Sequence, residues 1–304
     1  MRNKKVLKTF LSQLELQSML LPAIITIIVF AYVPMYGINI AFRNFHIITG
    51  TKGQPWVGFK FFMDFFTDPN FISVMRNTLA MNFLWIIFAF PVPIILAVLI
   101  TELRFDLFRR VAQTFSYLPH FLSWVIYGGL ALEILSPNGI ISYIGQSVGI
   151  FSEPYNIMAK GEYFYIVFTI LCIIKSTGFS SILFIAAIVG IDQEMGEAAI
   201  IDGANRFQRI IYIVLPSIVG TIMIMLIFNI ASMLNTGFEH LLMLQNGLNL
   251  PWSETIDTYV YKIGMQLGRY SYATAVGVFK SIVNLVLLVM ANYTSKKLTS
   301  KGLF

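Results

Sequence analysis

Six long apolar runs constrain this chain more than any other feature of its sequence. A helix that crosses a bilayer needs about 20 mostly apolar residues, and every run is long enough. The runs are 16–42, 77–101, 111–132, 163–191, 210–238 and 270–295. Inside them, Lys175 and Lys280 are the only Asp, Glu, Lys or Arg residues. We therefore predict an all-helical membrane protein with six transmembrane helices.

The composition agrees with a membrane protein rather than a soluble domain. The chain is 57% hydrophobic and 12% charged, with a mean hydropathy of +0.75, whereas soluble domains carry about 25% charged residues. The formal charge of +6 does not indicate a nucleic-acid partner, because the basic residues are scattered between the apolar runs. The single cysteine, Cys172, cannot form an internal disulfide. Membrane lipid is thus the first predicted partner.

The distribution of Lys and Arg predicts that both termini are cytoplasmic, because cytoplasmic loops carry an excess of these residues. With the N-terminus inside, the short internal segments hold the larger group, which is Arg2, Lys4, Lys5, Lys8, Arg104, Arg109, Arg110, Arg206, Arg209, Lys296, Lys297 and Lys301. The longer external segments hold the smaller group, which is Arg43, Lys52, Lys60, Arg76, Lys160, Lys262 and Arg269. The segment between runs four and five then faces the cytoplasm.

The sequence of that segment predicts two short helices joined by a turn. Asp192 can cap the first helix, and Glu197 lies in its early turns, where the helix dipole favours an acid. Gly203 tolerates a left-handed conformation and can end this helix. Asn205 and Gln208 have the spacing of a capping box for the second helix. Helices of two to three turns are marginal alone in water, so we expect them to pack against a soluble partner.

The same segment carries a specific residue order. It resembles the signature of the permease subunits of binding-protein-dependent ABC importers, with Glu197, Ala198, Ala199, Asp202, Gly203, Ala204, Ile213, Leu215 and Pro216 at the matching positions. Asn77-Thr78-Leu79 and Ala273-Thr274-Ala275-Val276-Gly277 agree with the same family. The resemblance covers roughly residues 72–290 and is closest to the group that imports oligosaccharides.

This resemblance implies a type I importer architecture in three parts. These are an N-terminal part, 1–71, with the cytoplasmic tail, first transmembrane helix and external loop; a permease core, 72–290; and a cytoplasmic tail, 291–304. In this family the short helices dock onto an ATPase. The residues implied in this coupling are Glu197, Ala198, Ala199, Asp202, Gly203, Arg206, Leu215 and Pro216.

The resemblance also implies the partners. They are two ATPase subunits, a second permease that is usually a different chain, an extracellular substrate-binding protein and an oligosaccharide substrate. The chain contains no Gly-x-x-x-x-Gly-Lys-Ser/Thr phosphate loop. We therefore expect ATP and Mg²⁺ to bind to the separate ATPase, no cofactor in this chain and no enzymatic activity of its own.

Polar residues inside the apolar runs are candidates for a substrate pathway. If the fifth run is helical throughout, then Asn229, Ser232 and Thr236 lie on one face at i, i+3 and i+7, with Asn235 beside them. The complete candidate set is Tyr117, Lys175, Gly178, Phe179, Asn229, Ser232, Asn235 and Thr236. Hydrogen bonding between helices is the alternative for such residues, and for Lys175 a structural role is favoured over an anionic substrate.

Three alternative functions remain at this point. An ABC importer permease for a solute other than a sugar would share every feature above. An ion-coupled secondary transporter usually carries acids at mid-membrane and repeated halves, and this sequence has neither. An intramembrane metalloenzyme would need clustered ligands, whereas His46, His120 and His240 are far apart in the sequence.

Overall fold

The structure, a computed structural model, describes residues 13–48, 50 and 54–299. The predicted cytoplasmic tail before residue 13 lies outside the described residues, as does the end of the C-terminal tail, 300–304. Within the described part, six helices are long and apolar enough to cross a membrane. These spans 1 to 6 are Ser18–Phe42, Phe71–Thr101, Trp124–Ser147, Gly161–Val189, Arg206–Ala231 and Tyr270–Lys297. The predicted all-helical architecture with six transmembrane helices is confirmed.

The spans are assembled from shorter helical elements, and the segments between the spans contribute further short helices. The α-helices are Leu14–Ile27, Val33–Met35, Lys60–Phe66, Phe71–Leu84, Pro91–Thr101, Asp106–Tyr117, Trp124–Leu135, Ile140–Ser147, Phe164–Val189, Gln193–Ile201, Arg206–Arg209, Leu215–Ala231, Glu239–Leu244, Leu250–Ser253, Ile256–Tyr261 and Tyr270–Thr299. Strand pairing is restricted, among the described residues, to isolated bridges such as Arg43 with Trp56.

The third apolar run, predicted as one helix over 111–132, is divided in the structure. Helix Asp106–Tyr117 passes into a 3-10 turn, Leu118–Phe121, and a new helix starts at Trp124. Ser123 caps this helix by accepting a hydrogen bond from the Ile126 amide, 3.3 Å long. Three backbone carbonyls in the break accept hydrogen bonds from the Lys175 ammonium. A tertiary contact thus replaces the helical hydrogen bonds that the apolar pattern predicts.

Three π-helical turns each end two residues before a proline. They are Ile28–Tyr32 before Pro34, Trp85–Ala89 before Pro91, and Ile210–Val214 before Pro216. In each case the amide just before the proline donates to the carbonyl five residues back. A proline lacks an amide hydrogen, and its ring collides with the carbonyl four residues earlier. The wider turn displaces that carbonyl, so the span continues past the proline.

The chain divides into two compact units. One extends through Phe66 and includes Ile263–Val278, and the other comprises Thr67–Lys262 and the residues from Phe279 onward. The first unit is closed by polar and aromatic contacts. Phe42 stacks on Trp56 with ring centroids 5.3 Å apart, and the Ser271 hydroxyl donates to the Arg43 carbonyl at 2.7 Å.

The second unit contains the hydrophobic core that surrounds the site described below. Its buried residues are Met81, Met158, Phe164, Phe168, Cys172, Leu241 and Leu244. Apolar residues of spans 2 and 4 therefore pack with helix Glu239–Leu244, which follows span 5. The reduced Cys172 is buried in this core.

The start of span 2 holds the loop between spans 5 and 6 through buried polar groups. The Asn77 side-chain amide donates to the carbonyls of Pro251 and Glu254, at 3.1 and 2.8 Å. The Thr78 hydroxyl accepts from the Ile256 amide at 3.0 Å. Both side chains are fully buried, where an unpaired polar group would be costly. The Asn77-Thr78 pair thus stabilises the fold of the loop between spans 5 and 6.

Candidate functional site

The first candidate site is the EAA segment, residues 192–216, between spans 4 and 5. Helix Gln193–Ile201 begins at Asp192, whose carboxylate accepts from the Glu194 amide at 3.0 Å. Gly203 follows with φ +81°. The amide of Ala204 donates to the carbonyl of Ala199, five residues earlier, at 2.8 Å. This is the bond of a Schellman motif that spans six residues. The predicted cap and the predicted glycine stop are both confirmed.

The second helix of the EAA segment also begins as predicted. Asn205 Oδ1 accepts from the Gln208 amide at 2.9 Å, and Gln208 Oε1 accepts from the Asn205 amide at 2.8 Å. These two bonds form the capping box. The helix then enters the π-helical turn before Pro216 and continues as span 5. Local sequence chemistry therefore determines the turn and both helix starts.

The EAA segment presents a mixed polar and apolar surface. Of the eight residues that the resemblance implicates in coupling, Ala199 and Leu215 are half-buried, and the exposed ones are Glu197, Ala198, Asp202, Gly203, Arg206 and Pro216. Two large apolar side chains lie beside them, Ile201 at 86% exposure and Phe207 at 69%. Exposed apolar groups rimmed by charges are typical of a surface that binds a partner.

Arg209 attaches the EAA segment to the end of span 2. Its guanidinium lies 3.7 Å from the Glu102 carboxylate, and both side chains are partly buried. A cavity of about 140 Å³ adjoins this pair and is also lined by Asp192 and Gly196. The two charged residues are far apart in the sequence, so no spacing pattern could predict their contact.

The second candidate site is a central cavity of about 270 Å³. It lies among spans 2, 4 and 5, the start of span 3 and the segment after span 5. Its lining residues are Met81, Asn82, Trp85, Trp124, Phe168, Cys172, Ser176, Asn229, Ser232, Asn235, Thr236 and His240. Aromatic walls with a few amides and hydroxyls are typical of a small-molecule site.

Four of the eight predicted pathway residues, Asn229, Ser232, Asn235 and Thr236, line the central cavity. The predicted helical face that would join them is wrong, because span 5 ends at Ala231. The next residues form turns in which Gly237 adopts φ +75°. Hydrogen bonds from neighbouring elements replace the helical ladder there. The four side chains converge through this turn rather than through a helix.

Lys175 is buried and lies outside the cavity lining. Its ammonium donates to the carbonyls of Pro119 and His120, each at 3.1 Å, and to that of Leu122. The ammonium also lies 5.2 Å from the Trp124 ring centroid. A buried cation needs such partners. These contacts give Lys175 a structural role at the break before span 3.

The remaining predicted pathway residues also lie outside the cavity lining. Phe179 stacks on His120, with ring centroids 4.0 Å apart and planes 2° apart. Gly178 lies against the Ser116 backbone, where an added Cβ would collide with the Ser116 carbonyl. Tyr117 is half-buried at the end of helix Asp106–Tyr117. Gly178 and Phe179 of span 4 thus contact the end of that helix and the 3-10 turn that follows it.

The sequence prediction missed the aromatic walls of the central cavity. Trp85 donates its indole hydrogen to Asn229 Oδ1 at 2.9 Å. Trp124 and His240 have ring centroids 4.8 Å apart, and His240 stacks on Phe168. Trp85, Trp124 and Phe168 lie in three different apolar runs, and His240 follows the fifth run; tryptophans are also typical of membrane interfaces. Their common site depends on the tertiary fold.

His240 is the titratable side chain of the cavity that lies outside the membrane-spanning segments. Burial lowers the pKa of its imidazole below the ordinary value of 6.5, while a hydrogen bond with the Thr236 backbone and the charge of Asp257 act in the opposite direction. The neutral form is therefore favoured near pH 7. Among the described residues, no group of three His, Cys, Asp or Glu side chains could hold a metal ion.

Comparison with known sequences identifies the class of protein. Residues 70–300 match the family described as the binding-protein-dependent transport system inner membrane component. The chain belongs to this family. It is a multi-pass membrane protein and a permease subunit of an ABC importer, as the sequence predicted.

Two relatives from Bacillus subtilis (strain 168) match almost the whole chain. Protein LplB is 42% identical over 287 residues, which are 94% of this chain and 90% of LplB. The polygalacturonan/rhamnogalacturonan transport system permease protein YteP is 40% identical over 304 residues, which are 100% of this chain and 94% of YteP. Near-complete coverage on both sides indicates a shared architecture beyond the common family core.

A solved structure confirms the architecture. The crystal structure of a bacterial ABC transporter involved in the import of the acidic polysaccharide alginate matches with a TM-score of 0.88 and 36% identity. The match covers 97% of this chain and 99% of that one. An equally similar structure holds that transporter with an alginate pentasaccharide-bound periplasmic protein. The predicted type I importer permease architecture is thus confirmed.

Proposed function

We propose that this chain imports oligosaccharides and that the central cavity is its contribution to the solute pathway. The cavity lining carries the proposal. Trp85, Trp124 and His240 offer ring surfaces for the apolar C–H faces of a sugar ring. Asn82 and Asn235 offer amide groups for its hydroxyls. Many small-molecule sites have this arrangement, in which a few polar groups lie among aromatic walls.

The relatives support a carbohydrate as the solute class. YteP is named for polygalacturonan and rhamnogalacturonan transport, and the structural match is a transporter of alginate. Both names refer to polymers of sugar units. We extend the solute class, and not a particular glycan, to this chain.

We further propose the assembly in which the cavity would work. This chain pairs with a second, different permease, two ATPase subunits bind ATP and Mg²⁺, and an extracellular binding protein delivers the solute. With both termini cytoplasmic, the EAA segment faces the ATPases, and its exposed Ile201 and Phe207 would enter their surface. In this arrangement residues 72–290 form the permease core between an N-terminal part, 1–71, and a C-terminal tail, 291–304.

The mechanism would be alternating access driven by differential binding. A ligand shifts a conformational equilibrium only as far as its affinity differs between the two states. The ATP-bound ATPases must therefore prefer one permease conformation, and the EAA segment would transmit that preference. The Arg209–Glu102 ion pair supports this route, because it joins the EAA segment to span 2, which lines the cavity with Trp85.

Uptake by the reconstituted importer tests the proposal. The full chain would be purified with its co-purifying subunits, placed in proteoliposomes, and offered a panel of neutral and uronic-acid oligosaccharides. We expect ATP-dependent uptake of at least one oligosaccharide, and insensitivity to ion gradients. Uptake that follows an ion gradient without ATP would identify a secondary transporter. ATP-dependent uptake of another solute class, with none of any oligosaccharide, would overturn the sugar assignment.

Two substitutions test the cavity itself. Asn229→Leu combined with Ser232→Leu replaces two polar lining groups with apolar ones, so we expect altered uptake or selectivity. Ser217→Leu is the matched control, because Ser217 lies on the same span, is exposed and is not among the cavity residues. Unchanged transport and selectivity in the double variant would refute a pathway at span 5.

A further inference from the structure

The segment that follows span 5, residues 232–237, supplies Ser232, Asn235 and Thr236 to the cavity wall without being a helix. Its short-range hydrogen bonds are those of turns, such as the Asn235 amide to the Ser232 carbonyl at 2.7 Å. Turns of this kind do not by themselves determine where side chains point. The position of this wall must therefore depend on contacts with other elements.

Two such contacts involve backbone amides of the segment. The Gly237 amide donates to Asp257 Oδ2 at 2.8 Å, and the Thr236 hydroxyl lies 3.4 Å from the same oxygen. The Leu234 amide donates to Asn284 Oδ1 at 3.2 Å. Each acceptor belongs to a different element, since Asp257 lies in helix Ile256–Tyr261 and Asn284 in span 6.

Lys280 completes this arrangement from span 6. Its ammonium forms an ion pair with the other oxygen of Asp257, and the two side chains are only 17% and 15% exposed. Lys280 and Asn284 are four residues apart on one helix, so they lie on the same face. Asn284 also contacts the Asn235 side chain at 3.4 Å. One face of span 6 thus holds the cavity wall directly through Asn284 and indirectly through Asp257.

We infer that Asp257, Lys280 and Asn284 form a clamp that positions residues 232–237 and sets the geometry of the solute site. The inference rests on the proposed function, because the cavity must hold the solute for this geometry to affect transport. The three clamp residues are positioning residues and are not among the side chains that line the cavity. Asp257 supplies the acceptor, and Lys280 compensates its charge in a poorly hydrated region.

Hydrogen exchange measures the clamp without any solute. The full chain, with its co-purifying subunits, would be placed in lipid nanodiscs and the exchange of peptides covering 232–240 followed by mass spectrometry. An amide bonded to a buried carboxylate exchanges slowly, because the bond must open first. For Asp257→Ala we expect exchange at Gly237 to be at least tenfold faster than in the wild-type chain.

Two double variants separate the acceptor from the charge. Asp257→Asn with Lys280→Met keeps a side-chain oxygen at position 257 and removes both charges, so we expect exchange within threefold of wild type. Asp257→Lys with Lys280→Asp keeps an ion pair but places a side chain without an acceptor at position 257. Here we expect the tenfold acceleration. Faster exchange in the Asp257→Asn, Lys280→Met variant than in the Asp257→Lys, Lys280→Asp variant would mean that only the ion pair matters and would overturn the clamp.

The matched control is another ion pair of the same external region. Lys262 and Glu254 lie 3.3 Å apart, and neither is bonded to residues 232–237 in the structure. Lys262→Met should leave exchange of 232–240 unchanged. Faster exchange in this control would show general loosening of the external segment and would also overturn the clamp.

Cys172 provides a second readout at the cavity. It is the single cysteine of the chain and lines the same cavity as residues 232–237, so its alkylation by N-ethylmaleimide reports access to the cavity. We expect at least fivefold faster alkylation in Asp257→Ala and the wild-type rate in the Asp257→Asn, Lys280→Met double variant. Cys172→Ser, which lacks the thiol, gives the background signal. Equal rates in all variants would refute the positional effect. Because neither readout uses a solute, failure of the sugar proposal remains a separate result.

Discussion

Gly203 should strengthen ATPase docking through its backbone conformation alone. Its φ is +81°, and an added Cβ would meet no atom within 4 Å. The cost of a substitution is therefore conformational rather than steric. For an L-residue other than glycine, the left-handed conformation costs about 1–2 kcal/mol. A β-branched side chain is less suited to this region, whereas asparagine tolerates it.

This free energy acts on the turn between the two helices of the EAA segment. A cost of 1–2 kcal/mol changes an equilibrium by a factor of about 5–30. If the ATPase binds only the native turn, its apparent affinity falls by up to this factor, since it scales with the fraction of chains that hold the native turn. We therefore expect a graded loss of docking, smallest for Gly203→Asn, larger for Gly203→Ala and largest for Gly203→Val. Membrane insertion should be unchanged, since the turn lies between spans.

The assay compares the variants in proteoliposomes. It measures two quantities. One is the amount of ATPase subunit that remains bound to the purified permease, and the other is the number of solute molecules imported per ATP hydrolysed. Gly196→Ala is the control, because Gly196 lies inside helix Gln193–Ile201 and also has nothing within 4 Å of an added Cβ. Alanine favours a helix over glycine by about 0.5–1 kcal/mol. Wild-type retention and import in Gly203→Val would refute the reasoning.

Three further predictions concern other parts of the chain. Lys175→Met removes the ammonium that three carbonyls share as a donor. It should destabilise the protein by on the order of 3 kcal/mol, seen as a lower Tm in detergent, and an unchanged Tm would contradict this. Arg209→Gln breaks the contact with Glu102 and should lower import per ATP. Arg104→Gln, at an exposed residue outside the coupling set, should leave import per ATP unchanged, and equal effects of the two substitutions would argue against the attachment. Burial lowers the pKa of His240 in the folded chain, so the unfolded chain binds a proton first as the pH falls below 6.5. The free energy of unfolding should therefore decrease there, and His240→Gln should remove this part of the pH dependence of Tm.

Much of the fold follows from sequence because a bilayer imposes strong local rules. Every backbone group in lipid must be satisfied within the protein, so a long apolar run becomes a helix. The EAA segment is similarly local, since the Asp192 cap, the Gly203 stop and the Asn205–Gln208 box involve neighbours in sequence. These features need no information about distant residues.

The ends of two helices could not be predicted in this way. The helix of the third apolar run breaks where Lys175 donates hydrogen bonds to backbone carbonyls. Span 5 ends where Asp257 and Asn284 accept hydrogen bonds from backbone amides. In both places a side chain from a distant part of the chain replaces a helical hydrogen bond. Pro119 in the third run and Asn235-Thr236-Gly237 in the fifth mark positions where a helix could end, but hydropathy contains no signal for the distant partners.

The candidate solute site was predicted only in part for the same reason. Polarity within an apolar run identified Asn229, Ser232, Asn235 and Thr236, which do line one cavity. It also identified Lys175, whose contacts are structural. A buried polar side chain costs free energy in either role, so its presence cannot distinguish a pathway from a packing contact.

The sequence by itself determined the membrane class, the six helices, the EAA segment and the family, because each depends on composition or on residues close together in the chain. Only the tertiary structure decided which polar residues share the central cavity, because that depends on how separate spans pack. It also joined Trp85 to Asn229 and attached residues 232–237 to span 6. Contacts between distant residues arise from packing and hydrogen bonding in three dimensions, and a linear pattern does not encode their partners.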